Sequence, residues 1–322
     1  MTHGPRIPAS PLPDEAAGLA TLTFVAEHRG QLVLHCGAVA QGSRCCLVVG
    51  ASGAGKSTLT LALAEQGLDY LTDETASLDP VSLTVTPHEK PLTFKATSHE
   101  QLARLRPPAA RIDPESANWY VTPPGPPPSV SPTTLPALVV LPDRHDDSRT
   151  EAEAITPARA AFLVGEQSSA LWSVSPRPLA PLLRLVLSVP VLRLAYADAF
   201  AAAPLVRERL LAAAAPDPSR LTAVSDQPQP APAALTGPAR AVGVDWEVLA
   251  NEAVLFDGTH LHHLDAPAAA VWRRLDGGTD VAEVAASVAL EFATTPDALL
   301  TDVEDLVRVL RSRGLVTTPD VG

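Results

Sequence analysis

Two neighbouring hydrophobic patterns stand out along the chain. Residues 45–49 are almost wholly apolar, and over 57–66 apolar residues recur at helical spacing before Gly67. A short apolar run bounded by turn residues reads as a buried strand, and the 3.6-residue period reads as a helix stopped by its glycine. Further strands are predicted at 69–72, 76–78, 82–86 and 138–141, with a turn at Asp79 and Pro80. Residues 18–27 and 31–40 carry strand-like or mixed patterns, and 158–211 alternates helical patterns with loops at 176–178 and Pro190. Beyond 241, residues 246–249, 253–257 and 260–264 read as three short antiparallel strands, with Asp257 and Gly258 as a hairpin turn. Helical periods follow at 266–275, 280–292 and 296–313, the last ending at Gly314 before Leu315 and Val316.

Proline punctuates these segments. The 33 prolines in 322 residues gather between the periodic stretches, so 107–136 is expected to be a long irregular loop of the kind that covers a substrate, and 216–240 an extended linker. The organisation expected is a domain over 1–215, a Pro/Ala-rich linker over 216–241 and a second domain over 242–322. No internal repeat suggests a solenoid.

A formal charge of -12 argues against nonspecific binding to nucleic acid or anionic membranes. No apolar run reaches the roughly 18 residues of a membrane span, and the first residues lack an apolar signal core. Cys36, Cys45 and Cys46 offer no C-x-x-C spacing, and the adjacent pair is unsuited to an ordinary disulfide. A soluble cytoplasmic protein is the expectation.

The connection between the first strand and helix carries the chemistry. Gly50, Ala51, Ser52, Gly53, Ala54, Gly55, Lys56 and Ser57 fit the phosphate-loop pattern G-x-x-x-x-G-K-[ST], followed by Thr58. Glycines let successive N–H groups converge on phosphates at a helix N-terminus, Lys56 adds a cation, and Ser57 offers a hydroxyl to Mg²⁺. The expected ligands are ATP and Mg²⁺. A plain glycine-alanine turn is the alternative, but it gives Lys56 and Ser57 no packing role.

The neighbours narrow the class. There is neither an LSGGQ-type signature nor a base-reading N-K-x-D, while His35 precedes the loop and Asp73 and Glu74 end the next strand. A carboxylate pair beside Lys56 and Mg²⁺ suits acceptance of a hydroxyl proton. The competing readings are a solvated turn for Asp73 and Glu74, and a hydrogen-bonded core histidine for His35. Lys90 and Lys95 are candidates to reach phosphate or an acceptor peptide, or are surface lysines. Asp143 is a rival metal-side acid, ranked lower because it follows Pro142 and no second acid follows it. His260, His262 and His263 lack a completing cysteine or acid, so no metal is expected there.

Over residues 32–95 the chain resembles the HPr kinase/phosphorylase family and its kinase-like relatives, which share a nucleotide core with PEP carboxykinases; the resemblance fades beyond. It rests on His35-Cys-Gly-Ala-Val-Ala, the phosphate loop and the segment from Gly67 to Glu74. It implies an α/β phosphate-loop kinase core, with Asp73 and Glu74 supplying the base and the metal side and His35 at the active site. The family usually shows two aspartates, so Glu74 is a departure that puts the reverse, phosphate-removing reaction in doubt. The stretch from Val254 to Trp272, Leu275 to Ala285 and the last helix resemble a PqqD-type domain, which binds leader segments of ribosomally made, modified peptides. That resemblance implies a small α+β winged-helix domain with a leader groove between its third strand and residues 302–313. A dimerising or DNA-binding winged helix is the alternative, but Arg308, Arg311 and Arg313 are balanced by Asp302, Glu304 and Asp305.

Together the resemblances imply an ATP-dependent kinase acting on a Ser/Thr hydroxyl of a precursor peptide, similar to the kinases found with lasso peptides. A small-molecule kinase and a nucleotide-binding scaffold without chemistry are the alternatives. Relatives of the kinase type often assemble, so a homo-oligomer is a further expectation.

Overall fold

The computed structural model describes residues 14–95, 110–112, 117–122, 134–146, 149–214, 217, 219, 221–225 and 236–318. The proline-rich start of the chain and parts of the 107–136 and 216–241 segments lie outside them. The chain forms two compact units, one of residues 1–155, 163–174 and 181–224, the other of 156–162, 175–180 and 225–322. Among the described residues no helix is long and apolar enough to cross a membrane.

The strands before residue 225 are β1 (Leu32–Gln41), β2 (Arg44–Val49), β3 (Asp69–Thr72), β4 (Thr75–Leu78), β5 (Val85–Pro87), β6 (Leu92–Phe94), β7 (Ala110–Ile112), β8 (Trp119–Val121), β9 (Leu135–Arg144), β10 (Glu151–Ala154) and β11 (Val191–Tyr196). The helices of the same stretch are α1 (Asp14–Glu27), α2 (Lys56–Glu65), α3 (Pro157–Gly165), α4 (Leu179–Ser188) and α5 (Ala199–Ala212). The main sheet runs β10-β11-β9-β2-β1-β4-β5, with β3 also on β1. Its β2, β9 and β11 are parallel, and β1 joins β2 antiparallel. Parallel strands lie buried on both faces and so read as continuous apolar runs; Cys45 to Val49 is fully buried, as are Leu138 to Val140. Helices α2 and α5 close one face over a core of Val, Leu and Ala, with Leu59, Leu63, Val206 and Leu210 against Val48 and Val140.

Three segments depart from the sequence expectation. Residues 18–27, of strand-like or mixed pattern, form helix: Leu19 and Leu22 stay exposed while Phe24 is buried, so no clean period shows. Strand β11 occupies a stretch read as helix and loop, its alternation compressed into six residues between Pro190 and the Asp198 cap. The 107–136 segment is not irregular throughout, since β7 and β8 pair beside β6. That small sheet packs Leu92, Phe94 and Val121 against Leu61 and Ala64 of α2, which brings Lys90 and Thr93 to the phosphate loop.

The second unit carries β12 (Ala239–Arg240), β13 (Asp245–Leu249), β14 (Glu252–Phe256) and β15 (Leu261–Leu264), helices α6 (Ala266–Arg274), α7 (Val281–Glu291) and α8 (Pro296–Ser312), and β16 (Val316–Thr317). The sheet runs β13-β14-β15, and β12 pairs β16. Its helix starts are written in the sequence: Asp265 accepts from Ala268 N, and Asp280 forms a reciprocal capping box with Glu283. The core centres on Trp272, which meets Trp246 edge-on at 6.0 Å. Residues 175–180 strap onto β13. The Arg177 guanidinium, 1% exposed, bonds Asp245 Oδ1 at 2.7 Å, Glu247 Oε2 at 2.8 Å and the Trp246 and Ser225 carbonyls, while Leu179 N–H donates to Asp245 Oδ2. Five donors in a planar fork suit such a multiply bonded buried position, and here nearly every one is used.

Candidate active site

Residues fifteen apart meet because β1 and β2 form a hairpin through Gly42, whose φ is 61°. The antiparallel register sets Cys36 opposite Val49, so His35 lies beside the point where the chain enters the phosphate loop. On its other edge β1 pairs first with β4, through Leu32 to His35, and then with β3, through Ala38 to Ala40. The ladder is interrupted between them. Asp73 and Glu74 fill that interruption, held by Cys36 N–H donating to the Glu74 carbonyl at 3.0 Å. Irregularities of this kind re-aim side chains next to active sites.

The loop wraps the N-terminus of α2. Gly53 and Gly55 take φ of 88° and 93°, a left-handed conformation that a side chain resists. The Lys56 ammonium donates to the carbonyls of Gly50 at 2.7 Å and Ala51 at 3.0 Å. Burial lowers its pKa, partly opposed by Cys36, Asp73 and Glu74.

Opposite the loop the acids are held unequally. Lys90, 6% exposed, places Nζ 3.0 Å from Asp73 Oδ1 and 2.8 Å from Glu74 Oε2. Asp73, 2% exposed at its side chain, also accepts from the Tyr70 hydroxyl at 3.3 Å and from Thr93 N–H at 2.9 Å. Glu74 is a third exposed and accepts weakly from Thr21 Oγ1 at 3.4 Å. Burial pushes Glu74 up, but Lys90 and then His35 and His88 outweigh it, so its carboxyl sits below the ordinary range. Lys90 is penalised by burial and more than compensated by the two acids, which raise it. His35 is lowered, first by burial and then by the Lys56 cation, with Glu74 and Asp73 opposing.

One cleft of about 690 Å³ joins these groups: His35, Ser52, Gly53, Gly55, Lys56, Ser57, Thr58, Asp73, Glu74, Lys90 and Lys95 line it together. Lys95 reaches Ser52 Oγ at 3.4 Å. Gly50, Ala51 and Ala54 of the same loop are not among the lining residues. Asp143 is not among the residues that line the cleft, and is bonded to His145 Nε2 at 2.8 Å and to Arg193. In the second unit His262 pairs with Asp257 at 3.0 Å and His263 with Glu252 at 3.1 Å; among the described residues no group of three or more His, Cys, Asp or Glu stands ready for a metal ion.

Several site residues escaped the sequence reading. Tyr70 and Thr93 orient Asp73, and both had a faint signal: Tyr70 precedes Asp73 by three in a short strand, and Thr93 follows Lys90 by three. Arg144, Tyr196, Asp198 and Phe200 also line the cleft and had none; Tyr196 belongs to strand β11, which was not recognised.

The geometry defines an α/β phosphate-loop core followed by a small α+β domain. Residues 252–316 match the family described as coenzyme PQQ synthesis protein D (PqqD), so the carboxy-terminal domain is of the PqqD type. Among solved structures the chain is similar to TbiB1 in complex with the TbiA(beta) leader peptide, at 23% identity over 24% of this chain and 93% of that one, with a TM-score of 0.23. It is also similar to the Hpr(Ser) kinase/phosphatase from Coxiella burnetii, at 13% identity over 56% of this chain and 96% of that one, with a TM-score of 0.23. No curated protein matches significantly.

Proposed function

We propose that the protein is an ATP-dependent kinase that phosphorylates a serine or threonine hydroxyl of a ribosomally made precursor peptide whose leader is held by the carboxy-terminal domain. The observation that carries the reading is the cleft itself, in which the phosphate loop with Lys56 faces Glu74, Asp73 and Lys90 beside His35. In the reaction the hydroxyl oxygen bonds to the γ-phosphorus, the bond to the β-bridging oxygen breaks, ADP leaves, and the hydroxyl proton passes to a carboxylate.

The two acids suit different tasks. Asp73 accepts from Tyr70, Thr93 and Lys90, which fixes its geometry and leaves room for one further partner; Glu74 is more exposed and more loosely held, which favours it as the proton acceptor. Lys56 and the loop amides of Gly53 to Thr58 neutralise phosphate charge, Lys95 extends that positive rim, and His35, held neutral by burial, tunes the acids. Ser57 and Asp73 are hard oxygen donors of the kind Mg²⁺ takes alongside phosphate and water, and they would hold that ion. The ion, when bound, neutralises the triphosphate charge.

Capture of the peptide rests on the second unit. Among the described residues β15 pairs with β14 alone, while the strap with Arg177 engages β13. An extended leader adding to β15 as a further strand uses the open edge. Covalent linkage of leader and core then raises the effective concentration of the acceptor.

The test is mass spectrometry of the purified precursor peptide with Mg-ATP. A gain of one phosphoryl group, absent with Glu74→Gln, supports the kinase. Because Lys90 already pairs both acids, a nucleotide-binding scaffold is the second reading; unmodified peptide with tight leader binding would select it.

A further inference from the structure

A buried hydroxyl on the far wall of the cleft is not absorbed by the chemistry above. Tyr196 ends β11, is 1% exposed, and its phenolic oxygen has no hydrogen-bond partner among the described residues. A buried hydroxyl without a partner is costly and calls for an explanation. Its position supplies one. The oxygen stands against the phosphate loop, so close to Gly55 that a Cβ there would meet it at 2.4 Å. Burial raises the phenol to about 12, with Arg144 opposing and Asp143 reinforcing; it therefore stays protonated and offers a donor.

Topology says which part of a nucleotide lies there. The acids enter the cleft from the β1, β3 and β4 side of β2, whereas β9 and β11 lie on its other side. The phosphoryl group being transferred must sit by the acids, so the wall built by Tyr196 faces the phosphates that remain on the leaving nucleotide. Ligands of open α/β sheets occupy the crevice beyond the strand ends, where such loops converge.

We propose that the Tyr196 hydroxyl is a nucleotide-binding donor, given to a non-transferred phosphate oxygen of the bound nucleoside phosphate at Gly55. The proposal rests on the nucleotide reading of the cleft. It assigns Gly55 a second duty besides its left-handed turn: leaving room for the phenol.

The experiment compares Tyr196→Phe with the parent full-length chain, measuring binding of Mg-ADP and of a non-hydrolysable Mg-ATP analogue by calorimetry, and thermal unfolding with and without each. A hydrogen bond from a neutral donor to a charged oxygen leads to an expected loss of about tenfold in affinity, equal for the two nucleotides. Without nucleotide the unfolding midpoint of Tyr196→Phe should hold or rise, because the partnerless oxygen is gone while the ring remains. Unchanged nucleotide affinity overturns the proposal. So does a loss confined to the ATP analogue, which would move the contact to the transferred phosphate. A lowered unfolding midpoint in the nucleotide-free variant also overturns it, since the hydroxyl would then have a partner within the fold. Failure of the parent chain to bind either nucleotide sinks the kinase reading itself, a result distinguishable from these.

Discussion

Lys90 Nζ lies between two carboxylates, 3.0 Å from Asp73 and 2.8 Å from Glu74, with barely any of its side chain in water. Breaking a buried ion pair from one side leaves an uncompensated charge, which costs far more than the pair contributes when intact. Lys90→Ala is therefore expected to lower unfolding free energy by about 3 kcal/mol, measured by urea denaturation. Adding Asp73→Asn to that variant should recover part of the loss; no recovery would mean that lysine acts through its stem rather than its charge.

The Lys56 ammonium is the one cation built into the loop. Lys56→Ala should reduce peptide phosphorylation by on the order of 10² or more, through lost charge stabilisation, while leader binding stays at the parental level. Steady-state turnover and fluorescence anisotropy with labelled leader read the two separately. Parental turnover in the variant would exclude the loop as the phosphate site.

Acidification should weaken the fold through His35. Its pKa is lowered from 6.5 by burial and by Lys56, so below pH 6.5 the unfolded chain binds the proton first, and stability falls as pH drops toward the folded-state value. His88, also lowered chiefly by burial, acts with the same sign. Denaturation at pH 7.5 and 5.5 should show a smaller acid loss for His35→Asn than for the parent, the remainder coming from His88. An identical loss in both would remove His35 from the account.

The strap at β13 has its own signature. Arg177→Lys keeps a cation but gives up the fork that reaches Asp245, Glu247 and two carbonyls. A loss of about 2–3 kcal/mol is expected for Lys and a similar or larger one for Ala, by the same denaturation measurement. A lysine variant as stable as the parent would show that charge alone holds the strap.

Isolated leader peptide added in trans should raise KM for the full precursor and leave kinetics with a leaderless acceptor unchanged. A rise with both substrates would place the leader in the phosphate cleft instead of on the carboxy-terminal domain.

How far the sequence was legible varied with the range of the interactions. The phosphate loop, the helix caps at Asp265 and Asp280 and the turn at Gly258 are local, and their residues announce them. Glu74 and Asp73 could be singled out as acids after a strand, but their unequal exposure depends on Tyr70 in that strand and on Lys90 and Thr93, which arrive with β6. Tyr196 was hidden further still. It belongs to a strand whose register with β9 is long-range, and nothing between Pro190 and Asp198 separates six extended residues from a helical turn. Helix α1 misled for the opposite reason, because its composition favours helix while its exposed leucines erase the period.

The bonds from Lys56 to the carbonyls of its own loop bear on how a ligand is received. Its side chain is immobilised before any phosphate arrives, so association exchanges one set of oxygen acceptors for another and forfeits little rotamer freedom. On the proposed nucleotide reading, a cradle of that sort would discriminate by how well the incoming oxygens outcompete amide carbonyls, favouring doubly charged phosphate groups over neutral or singly charged rivals.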